Sequence, residues 1–202
     1  MSRIILAFDA SLLRTGVCLL KDDAIKETGV IETYSQWGRP RQLDHIYSMV
    51  GVWTRGAPDI VAIETSKGWQ RASNDSRESI DALAMARAAI MLAIERETAG
   101  IRIVEMDSHR VRELVAGNRS AGKEQVQAAL TARGYTLPTI ERRVKVGGHM
   151  EQKFTKLGML VNVRVGGKYE VQTVVDPDVA DSVALGYAVW SEQRLLAMQE
   201  GK

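Results

Sequence analysis

The sequence predicts an α/β protein. Three observations carry that reading. The chain opens with three short apolar runs separated by turn signals, Arg3 to Asp9, Thr15 to Leu20 and Ala24 to Thr33. Segments of helical period then alternate with further apolar runs. One of those runs, Asp59 to Ile63, is apolar at almost every position, as expected of a strand buried on both faces. Strands followed by helices alternating with strands give a mixed sheet flanked by helices.

Each element has a local signal. Leu12-Leu13-Arg14 and Lys21-Asp22-Asp23 are short connections, so the first three strands form an antiparallel meander. Arg41 to Trp53 carries apolar residues at Leu43, Ile46, Tyr47, Val50 and Trp53, a helical stripe stopped by Gly56 and Pro58. Asp59 to Ile63 is the fourth strand and pairs in parallel. After a loop with Ser66, Lys67, Gly68 and Trp69, a long helix spans about Ser76 to Glu97, and Gly100 ends it. Ile101 to Glu105 is the fifth strand. Ser108 is expected to cap a helix through Val115, and Lys123 to Arg133 forms another before Gly134. The segment 137–175 changes character. Glu141 to His149 is basic and glycine-rich, and Leu160 to Val165 alternates towards Gly166-Gly167. That pattern predicts a flexible basic segment followed by a β-hairpin turning at Gly166-Gly167, with Lys168 to Val175 returning. Pro177 sits at the first position of a final helix through Glu192 or beyond. The whole of 1–202 reads as one domain, with 137–175 inserted within it.

Composition excludes several classes. Hydrophobic residues make up 45% and charged residues 26%, which is an ordinary globular balance. The net charge of +2 is too small to argue for nucleic acid alone, so such an argument must rest on local clusters. The one cysteine, Cys18, lies in an apolar run and forms no disulfide or metal cluster. With no apolar run of about 18 residues and no signal-like N-terminus, a cytoplasmic protein with no membrane partner is expected.

The acids carry the chemistry. Asp9 ends the run Ile4 to Phe8, and Glu64 ends the run Ile60 to Ile63. Asp178 and Asp181 open the last helix, three apart and therefore on one face. Carboxylates just past buried strands gather at the sheet edge, where active sites of open α/β sheets form. Converging acids repel, and a divalent cation resolves the repulsion. Hard oxygen donors suit Mg²⁺ or Mn²⁺, which supports phosphodiester hydrolysis. Each acid also has a plain structural role: Asp9 and Glu64 as strand ends, Asp178 and Asp181 as helix N-terminal acids.

These residues sit in motifs that resemble the RuvC-type Holliday junction resolvases of the ribonuclease-H-like superfamily. Ile5-Leu6-Ala7-Phe8-Asp9-Ala10-Ser11 with Thr15-Gly16 is similar to the family's first-strand motif, and Pro58 to Glu64 to its second. Lys123 to Gln127 resembles its lysine-bearing helix, and Asp178 to Ala184 its closing Asp-x-x-Asp motif. The resemblance spans nearly the whole chain outside 137–175. It implies a phage or prophage branch, acting in the cytoplasm of a bacterial or phage-infected cell on four-way DNA junctions in recombination and repair. It also implies Asp9, Glu64, Asp178 and Asp181 as ligands of Mg²⁺, with Mn²⁺ as substitute and two ions per site. Lys123 and Arg112 match two basic positions that contact the scissile phosphate, although the family usually carries lysine where Arg112 stands. Ser11 departs from the usual glycine. Symmetric cuts on a two-fold junction imply a homodimer.

Other residues admit two readings. Trp69 is either core packing or an aromatic that stacks on an unpaired base, and Lys67 and Arg71 beside it are phosphate contacts or solvated charges. Arg142, Arg143, Lys145 and Lys153 suit either an arm that orders on DNA or a solvated surface hairpin. His45, His109 and His149 lack metal-ligand spacing. The rival functions are a broader branched-DNA or flap endonuclease and a non-catalytic junction-binding module. An actin-like kinase, which shares the Asp-x-(Gly/Ser) type of first strand, is not expected, because its adenosine and second phosphate loops are absent and 202 residues are short for two such domains.

Overall fold

The computed structural model describes residues 2–65, 77–146, 149–154, 160–165 and 168–200, with side chains left aside at 77–79, 142–154 and 160–170. The chain divides into two compact units, Met1–Leu137 with Pro177–Lys202, and Pro138–Asp176.

The larger unit is built on a five-stranded sheet of order β3-β2-β1-β4-β5. Its strands are β1 (Ile4–Asp9), β2 (Arg14–Lys21), β3 (Ala24–Glu32), β4 (Ile60–Thr65) and β5 (Arg102–Asp107). β1 to β3 form the expected antiparallel meander, while β4 joins β1, and β5 joins β4, in parallel. The helices are α1 (Arg39–Thr54), α2 (Arg77–Glu97), α3 (Ser108–Ala116), α4 (Lys123–Ala132) and α5 (Pro177–Gln199). This is the α/β, mixed-sheet, ribonuclease-H-like architecture that the element order predicts.

Strand alternation divides the core. Leu6, Phe8, Val61 and Ile63 are fully buried together with Ile46 and Val50 of α1 and Ile90 and Ile94 of α2. Their neighbours Ile5, Ala7 and Ala62 are equally buried and point to the other face. That face is covered by α5, whose Val183, Ala184 and Leu185 are almost fully buried. Two glycines let α5 approach. A Cβ on Gly16 would stand 1.9 Å from the Asp178 carbonyl oxygen, and one on Gly186 would stand 2.4 Å from Leu20. Cys18 is buried as expected, and burial pushes its thiol well above the usual range.

Two expectations need correction. Ser108 is the first residue of α3 and not its cap; the cap is Asp107, whose Oδ1 accepts from the His109 and Arg110 amides at 2.9 and 3.1 Å. Asp is as good a cap as Ser, and β5 simply runs two residues further than its apolar pattern suggests. In the smaller unit, the strands are β6 (Thr139–Val146), β7 (His149–Phe154), β8 (Leu160–Val165) and β9 (Lys168–Val175). The expected β8–β9 hairpin does not form. β6 pairs with β9 and β7 with β8, both antiparallel, and the basic segment Glu141 to Val146 lies in a strand. The β7–β8 register, His149 opposite Val165, continues that of β6–β9, Val146 opposite Lys168. The expected Gly166-Gly167 turn itself lies outside the described residues, and a local turn reading misses the pairing of the strands on either side of it. The Asp176 amide donates to the Pro138 carbonyl at 2.9 Å, tying together the two ends of this unit.

Candidate active site

The pleat that buries Ala7 and Ala62 against α5 also directs Asp9 and Glu64. Asp9 follows Ala7 by two residues and Glu64 follows Ala62 by two, so both carboxylates emerge on the α5 face at the C-terminal end of adjacent parallel strands. α5 begins beside them, because Asp9 pairs with Gly16 and Gly16 lies under the Asp178 backbone. One turn later Asp181 faces the same space. Asp9, Glu64, Asp181, Lys123 and Arg112 line one cavity of about 270 Å³, whose apolar wall includes Val111, Val126 and Ala184.

The electrostatics follow from this crowding. Burial foremost, then the negative charges of Asp181 and Glu64, hold the Asp9 carboxyl well above the usual carboxylate range, with Lys123 pulling the other way. Burial and Asp181 push Glu64 up to about 7, opposed by Lys123 and Arg112. Asp181 is raised by burial despite its hydrogen bond to Lys123. Burial disfavours the Lys123 ammonium, but the bond to Asp181 and the charges of Asp9 and Asp178 together raise its pKa, so it stays protonated. Desolvation and mutual repulsion thus disfavour the ionised form of these carboxyls, and a nearby positive charge favours it.

Asp178 is placed differently. Its Oδ2 accepts from Arg14 Nε at 2.7 Å, and Arg14 also pairs with Glu32. Asp178 still acts electrostatically on Asp9 and Asp181. Among the described residues, no three acids stand at metal-ligating spacing. Lys123 on Asp181 and Arg14 on Asp178 supply the balancing charge instead. The donor set nonetheless fits a hard divalent ion: it consists of carboxylate oxygens, desolvated and mutually repelling, around one cavity.

Other expected site residues fall elsewhere. Trp69, Lys67 and Arg71 lie outside the described residues. Arg142, Arg143 and Lys145 are on β6 of the smaller unit. His109 Nδ1 lies 3.1 Å from the Arg119 carbonyl and His45 packs edge-on to Trp37 at 5.4 Å, both structural roles. Sequence reasoning missed Arg14, whose link to Asp178 spans 164 residues. It also missed Trp37. A cleft of about 750 Å³ shares Asp9 and Glu64 with the carboxylate site and is lined by Trp37, Arg39 and Thr65. Trp37 stands edge-on to Tyr34 at 5.0 Å, with the Arg41 guanidinium 4.5 Å from its ring centre. The available signal was an aromatic within the polar link 34–41.

Comparison with known proteins points to one family and to the same fold. The family model described as crossover junction endodeoxyribonuclease RuvC matches residues 5–139. The RuvC of Rubrobacter xylanophilus is 27% identical over 135 residues, covering 64% of this chain and 72% of that protein. A Thermus thermophilus RuvC in complex with a Holliday junction substrate superposes with a TM-score of 0.66 at 16% identity, over 96% of each chain. A second Thermus thermophilus RuvC structure gives a TM-score of 0.62 at 17% identity, over 95% of this chain and 96% of that one. The yeast mitochondrial Holliday junction resolvase gives 0.51 at 12% identity, over 96% of this chain and 83% of that one. With the family model covering about two thirds of its length and its carboxylates gathered at the sheet edge, the chain belongs to the RuvC family of crossover junction endodeoxyribonucleases.

Proposed function

We propose that this endonuclease resolves four-way DNA junctions by paired phosphodiester hydrolysis at the site formed by Asp9, Glu64, Asp178 and Asp181. The observation that carries the reading is the shared cavity of Asp9, Glu64 and Asp181, with Arg112 and the protonated Lys123 on its wall. These four acids would hold Mg²⁺, or Mn²⁺ in its place. Two such ions per site would supply the chemistry of water activation and of charge neutralisation at the leaving 3′ oxygen. Asp9, the deepest of these four acids, would be the one best placed to hold both ions. Lys123 places a fixed positive charge against the phosphoryl oxygens as negative charge builds on them, and Arg112 holds the phosphate with its planar fork. Asp178 would act as a ligand while sharing its carboxylate with Arg14, which also pairs with Glu32.

A two-fold junction calls for two such sites in a homodimer. The exposed apolar residues Met85 and Leu92 on α2 support a face for it there. The unit Pro138–Asp176 is, in this proposal, an insertion into a single nuclease domain that contributes Arg142, Arg143 and Lys145 to duplex arms. Trp69, Lys67 and Arg71 would contact the strand near Glu64. No helix among the described residues is long and apolar enough to cross a membrane; action on DNA in the cytoplasm is part of the proposal.

Incubation of the protein with a labelled four-way junction and Mg²⁺, beside flap and linear duplex controls, tests the reading. Symmetric nicks in the junction alone are expected, and Asp9→Asn should abolish them while leaving junction binding intact. Equal cutting of the flap would favour the broader branched-DNA nuclease. Wild-type cutting by Asp9→Asn would overturn the site assignment.

A further inference from the structure

A second cleft lies at the other end of the sheet. Asp9 ends β1, whereas the start of β1 lies beside the β2–β3 turn at Asp22-Asp23, about 17 Å of strand away. α5 runs the same way, so Trp190 lies 12 residues, or about 18 Å, beyond Asp178. The cleft there has a volume of about 770 Å³ and is lined by Arg133, Tyr135, Tyr187, Trp190 and Arg194, with Asp23 on its rim.

Its side chains form an ordered set. Tyr135 packs edge-on to Tyr187 with ring centres 5.8 Å apart, and Tyr187 lies 5.6 Å from Trp190. The Arg133 guanidinium sits 5.0 Å over Tyr187 and the Arg194 guanidinium 5.4 Å over Trp190. Arg133 Nε donates to the Tyr187 hydroxyl at 3.1 Å and its Nη1 to the Ala129 carbonyl at 2.8 Å. Among the described residues, neither arginine is engaged in an ion pair. Tyr135 is 9% exposed, yet its hydroxyl is buried with no hydrogen-bond partner. Burial, reinforced by Asp23, raises its pKa, so it stays a donor. An orphaned buried hydroxyl is costly unless something meets it.

Aromatic faces with interleaved guanidiniums take a planar ring and an anion together. Tyr135, a residue of the cleft wall whose buried hydroxyl has no partner, offers a donor for the polar edge of that ring. We propose that this cleft is a nucleotide-binding subsite that engages the base and phosphate of a DNA strand at a distance from the carboxylate site. It would add affinity for an unpaired strand without taking part in cleavage.

Two variants test this. Tyr135→Phe keeps the ring and removes only the hydroxyl. Arg194→Glu reverses an exposed charge outside the core. Binding of labelled octathymidylate to the full chain, with thymidine monophosphate as competitor, is measured for the wild type and both variants. Tyr135→Phe should weaken binding about fivefold, the loss of one neutral hydrogen bond, and Arg194→Glu about tenfold or more, the loss of a charge-assisted one. Tighter binding of octathymidylate than of the mononucleotide assigns a strand. Equal binding would overturn the strand assignment in favour of a free nucleotide. Unchanged affinity in both variants would overturn it, most plainly if Tyr135→Phe also melts higher than the wild type. Loss of binding to an acidic, tyrosine-containing peptide with nucleotide binding unchanged would overturn it in favour of a protein partner. Single-turnover cleavage of saturating junction should be unchanged in both variants. A wild type that cuts no junction would count against the proposed function and leave this subsite standing.

Discussion

Replacement of Glu64 by Gln separates the electrostatics of the site from its chemistry. Without metal, Glu64 is held at about 7 against its ordinary 4.5, chiefly by burial and then by Asp181. At about 1.4 kcal/mol per unit, the ionised side chain costs the metal-free fold roughly 3 kcal/mol as an upper figure. Glu64 is only partly buried, so solvent screening reduces this to about 1–2 kcal/mol. A carboxyl whose folded pKa is raised is neutral in both states below about 4.5, and its penalty grows as pH rises from 4.5 through about 7. In EDTA at about pH 8, one unit above that value, Glu64→Gln should melt higher than the wild type. For a chain of this size, about 2–4 °C per kcal/mol gives a gain of roughly 2–8 °C. The gap should close below about pH 4.5, where Glu64 is protonated. Mg²⁺ should raise the wild-type midpoint more than that of the variant, and cleavage should be lost. Calorimetry across pH, with and without Mg²⁺, reads all of this. A variant that melts lower in EDTA at about pH 8, one unit above the shifted value, would mean that ionised Glu64 stabilises the fold, and the crowding argument would fail.

Three further perturbations probe separate parts of the structure. Lys123→Ala should slow cleavage by about 10² or more in single-turnover assays, with a smaller effect on junction affinity; equal losses in both would reduce Lys123 to a positioning role. Gly16→Ala puts a Cβ 1.9 Å from the Asp178 carbonyl. It should cost about 1–3 kcal/mol in chemical denaturation and also lose activity, because the start of α5 must shift; full activity would show that Asp178 and Asp181 tolerate displacement. Alanine at Arg142, Arg143, Lys145 and Lys153 should flatten the salt dependence of junction binding by about 0.9 per lost phosphate contact, up to about four contacts. An unchanged slope would show that the smaller unit does not touch DNA.

What the sequence by itself determined was whatever a local pattern encodes. The runs Ile4 to Phe8 and Ile60 to Ile63 specify buried strands because nearly every position is apolar, and the acid that ends each run is placed by the same pleat. The Asp178 and Asp181 spacing specifies a shared helical face. These signals extend over a few residues, so they survive without tertiary context. What only the tertiary structure decided were relations between distant segments. The sequence around Gly166-Gly167 looks like a turn in isolation, but the strands on either side of it pair elsewhere, β8 with β7 and β9 with β6. The pairing of Arg14 with Asp178 across 164 residues, and the gathering of Arg133, Tyr135, Tyr187 and Trp190 into one cleft, arise only when α5 docks on the sheet. That docking depends on side chains missing at Gly16 and Gly186, where a Cβ would collide with Asp178 and Leu20. A collision between residues far apart in sequence has no local signature, so neither contact could be read before the chain had folded.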